Sequence, residues 1–277
     1  MHKISLRNHH RTTHMKTAAI KTMVCLFIIF AALIFAPNSY AAKEHHPPTA
    51  KSKPIIHVGF GAERPPFVFK NHTEGLEVEL IYALCDEMGY QIEADFIPNA
   101  RGYQYLNQKR IDLYTTITES SKGDAYLSQP YIKFENVLIS KQDKPTVISF
   151  NQLINARITA FQNAKVFIPE IKAIKDQTAL YLETATQHTQ VILLYRDRVD
   201  YVFSERRIFE YYYQQAIMNG EIPENGFAYK IHHVREPTLY SAGFHDPELR
   251  DKFDIALKTI KENGTYQRII DKYDTHN

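Results

Sequence analysis

The chain has 277 residues, of which 44% are hydrophobic and 23% charged, and a formal net charge of +2 at pH 7 with histidines neutral. Lys3, Arg7, Arg11, Lys16 and Lys21 fall in the first 41 positions with no acidic partner, so the remainder carries 28 basic against 31 acidic side chains, a formal −3. That balance excludes capture of nucleic acid or of an anionic membrane by bulk charge, and Cys85, the one cysteine beyond the leader, excludes an intramolecular disulfide there.

The N-terminus reads as a cleaved secretory signal peptide over residues 1–41. Val24–Ala36 (VCLFIIFAALIFA) is an unbroken apolar run preceded by Lys16 and Lys21, and Ser39 and Ala41 supply the small residues before a cleavage point. The run is shorter than the about 20 residues that span a bilayer. Cys25 lies inside it and not just after it, which argues against a lipid anchor. Met15 opens a leader-like MKTAAIKTM and is a second candidate start beside Met1. Residues 42–53 are polar and proline-rich (KEHHPPTAKSKP runs into Pro54), a flexible lead-in.

Strand-like and helix-like patterns then alternate. Ile55–Phe60 is an apolar strand candidate. It runs into Gly61–Phe69, GAERPPFVF, where Pro65 and Pro66 fix φ near −65° and remove two backbone donors, making a rigid corner. Its phenylalanines either fall back into the core or hold an aromatic face toward a ligand; large aromatics are usually buried, and Phe69 is the one expected in the core. Gly75–Met88 places Leu76, Leu80, Ile81, Leu84, Cys85 and Met88 at helical spacing with Gly89 as the stop. Gln91–Ile97 alternates as a half-buried strand, Ala100–Lys109 reads as a short helix and Ile111–Thr116 as the next strand, the rhythm of a mostly parallel sheet covered by helices.

A second series reads as strands at Asn136–Lys141, Thr146–Phe150 and Arg157–Phe161, helices at Val166–Lys175 and Gln187–Tyr195, the strand Val199–Ser204 and the helix Glu205–Met218. Asp246 can cap a closing helix, with Pro247 at its first position and Glu248 at its positive end. Leu249, Phe253, Leu257 and Ile260 form its apolar stripe and Gly264 its end, before a last short helix with Tyr266, Ile269, Ile270 and Tyr273. His45-His46 sits in the lead-in, and His232-His233 would face opposite sides of a strand, so neither has metal-site spacing. A nucleophile elbow, a phosphate loop and a Cys/His nucleophile context are all missing from the sequence, and no cofactor is expected.

Taken in order, HVGFGAERPPFVF, EGLEVELIYALCDEMGY, KRIDLYTTIT, LSQPYIKFENVLIS, YRDRVDYVFSE and DPELRDKFDIALKTIKENGTYQRIIDKY resemble the bacterial family 3 extracellular solute-binding proteins, the two-lobed periplasmic receptors best known for amino acids. The resemblance covers about Pro54 to Tyr273. It implies an α/β fold of two lobes, each a mostly parallel sheet flanked by helices. Lobe one would hold residues 54–133 and 238–277, and lobe two residues 138–237. Crossing segments near Ile132–Val137 and Thr238–Ala242 would be the hinge, with ligand between the lobes.

The same resemblance implies ligand contacts at Arg64, Phe67, Arg101, Thr115, Thr116, Thr118, Phe161 and Glu205. Phe67 would line the cleft, Thr115, Thr116 and Thr118 would offer backbone and hydroxyls, and Phe161 would open the second ligand loop. Glu205 stands where relatives place an aspartate for the ligand's ammonium. The arginine that relatives use for a ligand carboxylate is replaced by Glu119-Ser120-Ser121-Lys122, and Arg101, after Pro98 at the start of its helix, is the candidate substitute. Each has a plainer role: Arg64 as a surface arginine, Phe67 as core, Arg101 as a packing stem and Glu205 as a helix cap. The expected function is a periplasmic, non-enzymatic, monomeric receptor that captures a small polar metabolite, an amino acid or a relative of one, by hinge closure for ABC-type uptake. Its partners would be permease subunits or a membrane sensor, and not nucleic acid. The alternatives are a cyclohexadienyl-dehydratase-like enzyme on this fold, or a stand-alone sensor.

Overall fold

The computed structural model describes residues 52–274, so the expected signal peptide and nearly all of the lead-in lie outside the described residues. The chain first lays down β1 (Ile55–Phe60), α1 (Leu76–Glu87), β2 (Gln91–Phe96), α2 (Asn99–Asn107), β3 (Leu113–Ile117), β4 (Tyr126–Leu127) and β5 (Ile132–Phe134). It then builds β6 (Asn136–Lys141), β7 (Arg157–Phe161), α3 (Ala164–Phe167), α4 (Pro169–Ile174), β8 (Leu180–Thr184), α5 (Gln187–Tyr195), β9 (Tyr201–Glu205), α6 (Arg206–Met218) and β10 (Tyr229–His232). It returns through β11 (Thr238–Phe244) and ends with α7 (Pro247–Glu262) and α8 (Thr265–Lys272).

Two sheets result. The first runs β2-β1-β3-β11-β4, with β5 also paired to β11, and the second runs β10-β6-β9-β7-β8. In each, three strands are parallel (β2, β1 and β3; β9, β7 and β8), and the strands that leave or re-enter the sheet are antiparallel: β11 against β3, β4 and β5, and β6 against β9 and β10. Both sheets are therefore mixed, because the chain crosses between them twice and each returning strand enters from the opposite direction. One crossing is the single residue Glu135 between β5 and β6; the other is the segment 233–237 between β10 and β11.

Period-two alternation explains how the second sheet is buried on both faces. Val137 and Ile139 of β6 pack with Val202, Val191, Leu194 and Phe209, while Leu138 between them packs with Ile158, Phe203, Phe150 and Ile171. The first sheet is sealed by Leu80, Ile81 and Leu84 of α1 and by Phe253, Leu257 and Ile260 of α7. Ile208 of α6 joins this same core, so a helix that follows the second sheet also packs on the first.

Several local readings hold. Gln187–Tyr195 is helical, the Asp246 carboxylate accepts the Glu248 N–H at 2.8 Å with Pro247 at the first position, and Gly264 takes φ 78°. Val166–Lys175 is not one helix. Pro169 excludes helical geometry at Ile168 (φ −116°, ψ 100°) and splits it into α3 and α4. Thr146–Phe150 is not a strand: Ser149 and Gln152 form a reciprocal capping box that starts a 3₁₀ turn at Phe150.

His232 and His233 do face opposite ways, the first buried and the second exposed. The Val147 N–H donates to Nδ1 of His232 at 3.1 Å, so Nε2 carries the proton and donates to Ser140 Oγ at 2.9 Å. The ring must stay neutral to accept from Val147, and burial, then the charges of Lys230 and His233, hold its pKa below the ordinary value of 6.5. Its contribution to stability is therefore complete above about pH 6.5 and falls as the pH drops, when the unfolded chain takes a proton that the folded ring refuses. Urea melts across that range should show the slope in the wild type and lose it in His232→Asn.

Candidate functional site

The GAERPPFVF corner caps a helix with backbone. Arg64 and Val68 close on each other through Arg64 N–H to Val68 O at 2.8 Å and Val68 N–H to Arg64 O at 3.1 Å. The carbonyls of Pro66 and Phe67 then accept the Leu76 and Glu77 N–H groups at 2.9 and 3.1 Å, satisfying the first turn of α1, whose cap position is Gly75 and so has no side chain to offer. Gly75 sits at φ 133°, in a region open almost only to glycine, and its N–H donates to the Tyr273 hydroxyl at 3.1 Å. The corner leaves Phe67 wholly buried against Phe134, ring centroids 4.3 Å apart. Phe69, expected in the core, is only half-buried and meets Tyr211 of α6 edge-on at 5.6 Å.

Beside the corner, the fully buried carboxylate of Glu77 organises a polar chain. Arg64 Nη2 donates to Glu77 Oε2 at 3.0 Å, and its guanidinium lies 4.6 Å from the Phe134 ring centre and 5.7 Å from that of Phe67. The Tyr131 hydroxyl donates to Glu77 Oε1 at 3.3 Å and accepts the Thr116 N–H at 3.3 Å. Complete burial, then the charge of Glu77, pushes that hydroxyl's pKa well above the ordinary tyrosine value. Thr116 stands at φ 53° at the end of β3, an unfavourable conformation for a β-branched residue. Tyr240 of β11 packs on Phe134 at 4.7 Å, and burial raises the pKa of its hydroxyl against the lowering influence of Arg64 and Arg235.

Three more expected contacts stand on β3, on the turn after it and on α2. Thr115 is fully buried with no hydrogen-bond partner for its hydroxyl among the described residues. Thr118 caps a 3₁₀ turn over Glu119–Ser121, its hydroxyl 2.8 Å from that of Ser121, while Lys122 pairs with Glu119. Arg101 is exposed on α2, without an ion pair or side-chain hydrogen bond among the described residues. Gly102, next to it, lets α2 lie directly on the Tyr114 ring; a Cβ there would stand 2.0 Å from the ring.

On the second sheet, Phe161 ends β7 half-buried and stacks on Phe203 at 6.0 Å. The loop behind it is already occupied: the Glu183 carboxylate accepts the Asn163 and Lys165 N–H groups at 3.1 and 3.0 Å, and the Tyr181 hydroxyl donates to it at 2.8 Å. Glu205 ends β9 with 3% of its surface exposed and caps α6, accepting the Ile208 N–H at 3.0 Å. Its other oxygen accepts the N–H of Glu135, the crossing residue, at 3.2 Å. Burial pushes the carboxyl up to about 7 against the lowering influence of Arg207 and the two backbone donors. Among the described residues no side-chain cation donates a hydrogen bond to it.

The structure thus brings Arg64, Phe67 and Thr116 into one cluster at the carboxyl ends of β1 and β3. Glu205 stands next to it along the backbone through Phe134 and Glu135. No hydrogen bond, ion pair or ring contact among the described residues links Arg101, Thr118 or Phe161 directly to that cluster. Sequence reading missed Glu77, Tyr131, Phe134 and Tyr240. One sign was available: Glu77 shares a helix face with Ile81 and Leu84, and a charge on an apolar stripe needs a buried partner.

The sequence matches the bacterial extracellular solute-binding proteins, family 3, over residues 56–276. It is 24% identical over 256 residues to the arginine-binding extracellular protein ArtP of Bacillus subtilis, covering 90% of this chain and 97% of that protein. It is 25% identical over 222 residues to the arginine-binding periplasmic protein of Mannheimia haemolytica, covering 76% and 86%. An ancestral arginine-binding protein bound to arginine superposes with a TM-score of 0.61 at 23% identity over 80% of this chain and 99% of that one, which shows a shared fold.

Proposed function

The chain belongs to family 3 of the bacterial extracellular solute-binding proteins, and on that premise we propose that it is the receptor of an ABC-type uptake system for a zwitterionic amino acid or a close relative. Capture works by closure. Residues 54–133 with 238–277 form one lobe and 138–237 the other, and they turn about Glu135 and the segment 233–237. Ligand held by one lobe gains contacts from the second only in the shut form, so binding shifts the population toward the shape a permease recognises. The leader exports the protein, and the receptor returns its ligand unaltered.

The observation that carries this reading is Glu205: a buried carboxyl at the crossing, poised near neutrality, which accepts from two backbone donors and, among the described residues, is hydrogen-bonded to no side-chain cation, although Arg207 and Arg206 lie within electrostatic reach. A ligand ammonium supplies the missing charge, and Arg101 supplies a guanidinium for the ligand carboxylate. Burying a charge without a partner costs several kcal/mol, so both ends of a zwitterion need these anchors.

In a thermal-shift panel of amino acids, polyamines and small organic acids, a zwitterion should raise the wild-type Tm, and Glu205→Ala and Arg101→Ala should abolish the shift. Unchanged shifts in both variants would remove the assignment. The pH dependence follows from the raised carboxyl. Below about pH 7 Glu205 must give up its proton before it can pair with an ammonium, so binding at about pH 6 should release close to one proton and at about pH 8 almost none. Calorimetry in buffers of different ionisation enthalpy reads this directly.

A further inference from the structure

The recognition chemistry around Arg64 is that of a cation subsite, and the chain has filled it. A guanidinium is held best by a carboxylate at one edge and an aromatic face beneath it. Glu77 supplies the first and Phe134, backed by Phe67, the second. Glu77, Phe67 and Tyr131 have no exposed surface and Phe134 has almost none, whereas 24% of the Arg64 side chain remains exposed. Arg64 is therefore the outermost member of this group, a plug seated on a dry acidic and aromatic floor. The plug lies at the carboxyl end of β1, beside the crossing strands β5 and β11 that carry Phe134 and Tyr240. The buried charge pair is self-contained: Oε2 of Glu77 serves Arg64 and Oε1 serves Tyr131. Arg64 Nε, in contrast, is buried and has no acceptor among the described residues.

We infer that Arg64 occupies from within the place a cationic ligand side chain would take, so that this receptor excludes arginine-like and lysine-like ligands and selects a zwitterion whose side chain ends in a hydrogen-bond acceptor. The inference rests on the receptor reading above for its ligand class. Two physical effects point the same way. A second cation brought to the floor meets no free carboxylate oxygen directed by a side chain and a like charge in its path. A carboxamide or carboxylate meets a partly exposed guanidinium of which only Nη2 is committed to a side chain among the described residues, and charged donors make the stronger hydrogen bonds. The likeness to arginine-binding proteins makes the distinction a sharp one, because the same fold would then serve a different side-chain class.

The experiment has two arms, both on the full mature chain at constant ionic strength. In the first, wild-type protein is titrated calorimetrically with L-arginine, L-lysine, L-glutamine and L-glutamate. Glutamine or glutamate should bind at least about 10-fold tighter than either cation; arginine or lysine binding as tightly as any other amino acid overturns the inference. In the second, Arg64→Ala and the double variant Arg64→Ala/Glu77→Gln are melted with and without millimolar methylguanidinium, using sodium as the ionic control. The single variant should be destabilised and recover saturably with methylguanidinium, and it should gain at least about 10-fold in affinity for L-arginine. The double variant, with no buried carboxylate to neutralise, should not respond. Failure of methylguanidinium to restore the single variant, including failure to yield folded protein in its presence, counts against the plug. Should the wild type bind no amino acid while the single variant is still rescued, the receptor reading fails and the plug stands. The first arm does not depend on whether Arg64→Ala folds.

Discussion

Arg206→Ala is expected to lower stability by up to about 3–5 kcal/mol, the usual range for removing one member of a buried charge pair, although Glu135 keeps Lys133 and Asp274 keeps Arg207. Arg206 opens α6 with only 11% of its side chain exposed. Its Nε donates to Glu135 at 3.0 Å, its Nη1 to both oxygens of Glu210 at 3.2 and 3.1 Å, and its Nη2 to Asp274 at 2.7 Å. Three carboxylates would lose this partner together. The cavity of about 280 Å³ beside the cluster, lined by Lys133, Arg207, Tyr266 and Ile270 among others, gives water a route to part of the wound, which favours the lower end of the range.

The pH dependence should change as well. Burial raises the Glu135 carboxyl, but the hydrogen bonds from Lys133 and Arg206 together outweigh it and hold the group at about 2 instead of 4.5. A lowered folded pKa means stability that is complete above about 4.5 and is lost as the pH falls toward about 2. The variant should lose part of that acid sensitivity. Urea denaturation at neutral pH and at about pH 4 reads both effects. A variant as stable as the wild type at neutral pH would show that the network contributes nothing.

Gly75→Ala is expected to cost about 3 kcal/mol or more, for two reasons that add. Alanine does not reach φ 133° without strain, and its Cβ would stand 2.1 Å from the Phe67 carbonyl oxygen and 2.6 Å from the carbonyl carbon. Both atoms are backbone held by the proline corner, so the clash cannot be relieved by turning a side chain. Relief requires the corner to leave α1, which breaks the carbonyl caps to Leu76 and Glu77 and moves Arg64 off its rings. Gly89→Ala is the control: φ is also positive, at 82°, but nothing lies within 4 Å of the added Cβ. That variant should lose only about 1 kcal/mol. Equal losses at the two positions would mean that the contact with Phe67 is unimportant.

How far the sequence could be read depended on the distance over which each signal acts. The cap, stripe and stop of α7 are all local, and Asp246, Pro247, Phe253 and Gly264 could be assigned from spacing alone. The break at Ile168 was equally local but was overlooked in favour of apolar periodicity. β8 escaped because it is a half-buried edge strand without a strong alternation. The corner was legible from two prolines after a strand, whereas Arg64 and Phe67 were expected as ligand contacts only from the resemblance, and Phe67 proves to be wholly buried core, the plainer of its two readings. The site was illegible where it depends on β5 meeting β11, since Tyr131, Phe134 and Tyr240 come together only through that pairing. Glu77 was hidden by having two good reasons to be there, as an early acidic residue favoured at a helix start and as the buried partner of Arg64.

The position of β11 has a consequence for biogenesis. The middle of the first sheet is filled by one of the last strands to be synthesised, and α7, which seals that sheet, comes later still. A nascent chain that has completed every earlier element still lacks the piece that joins β3 to β4, so its apolar surfaces have no permanent cover. The native packing of the first sheet therefore waits until β11 and α7 have been made.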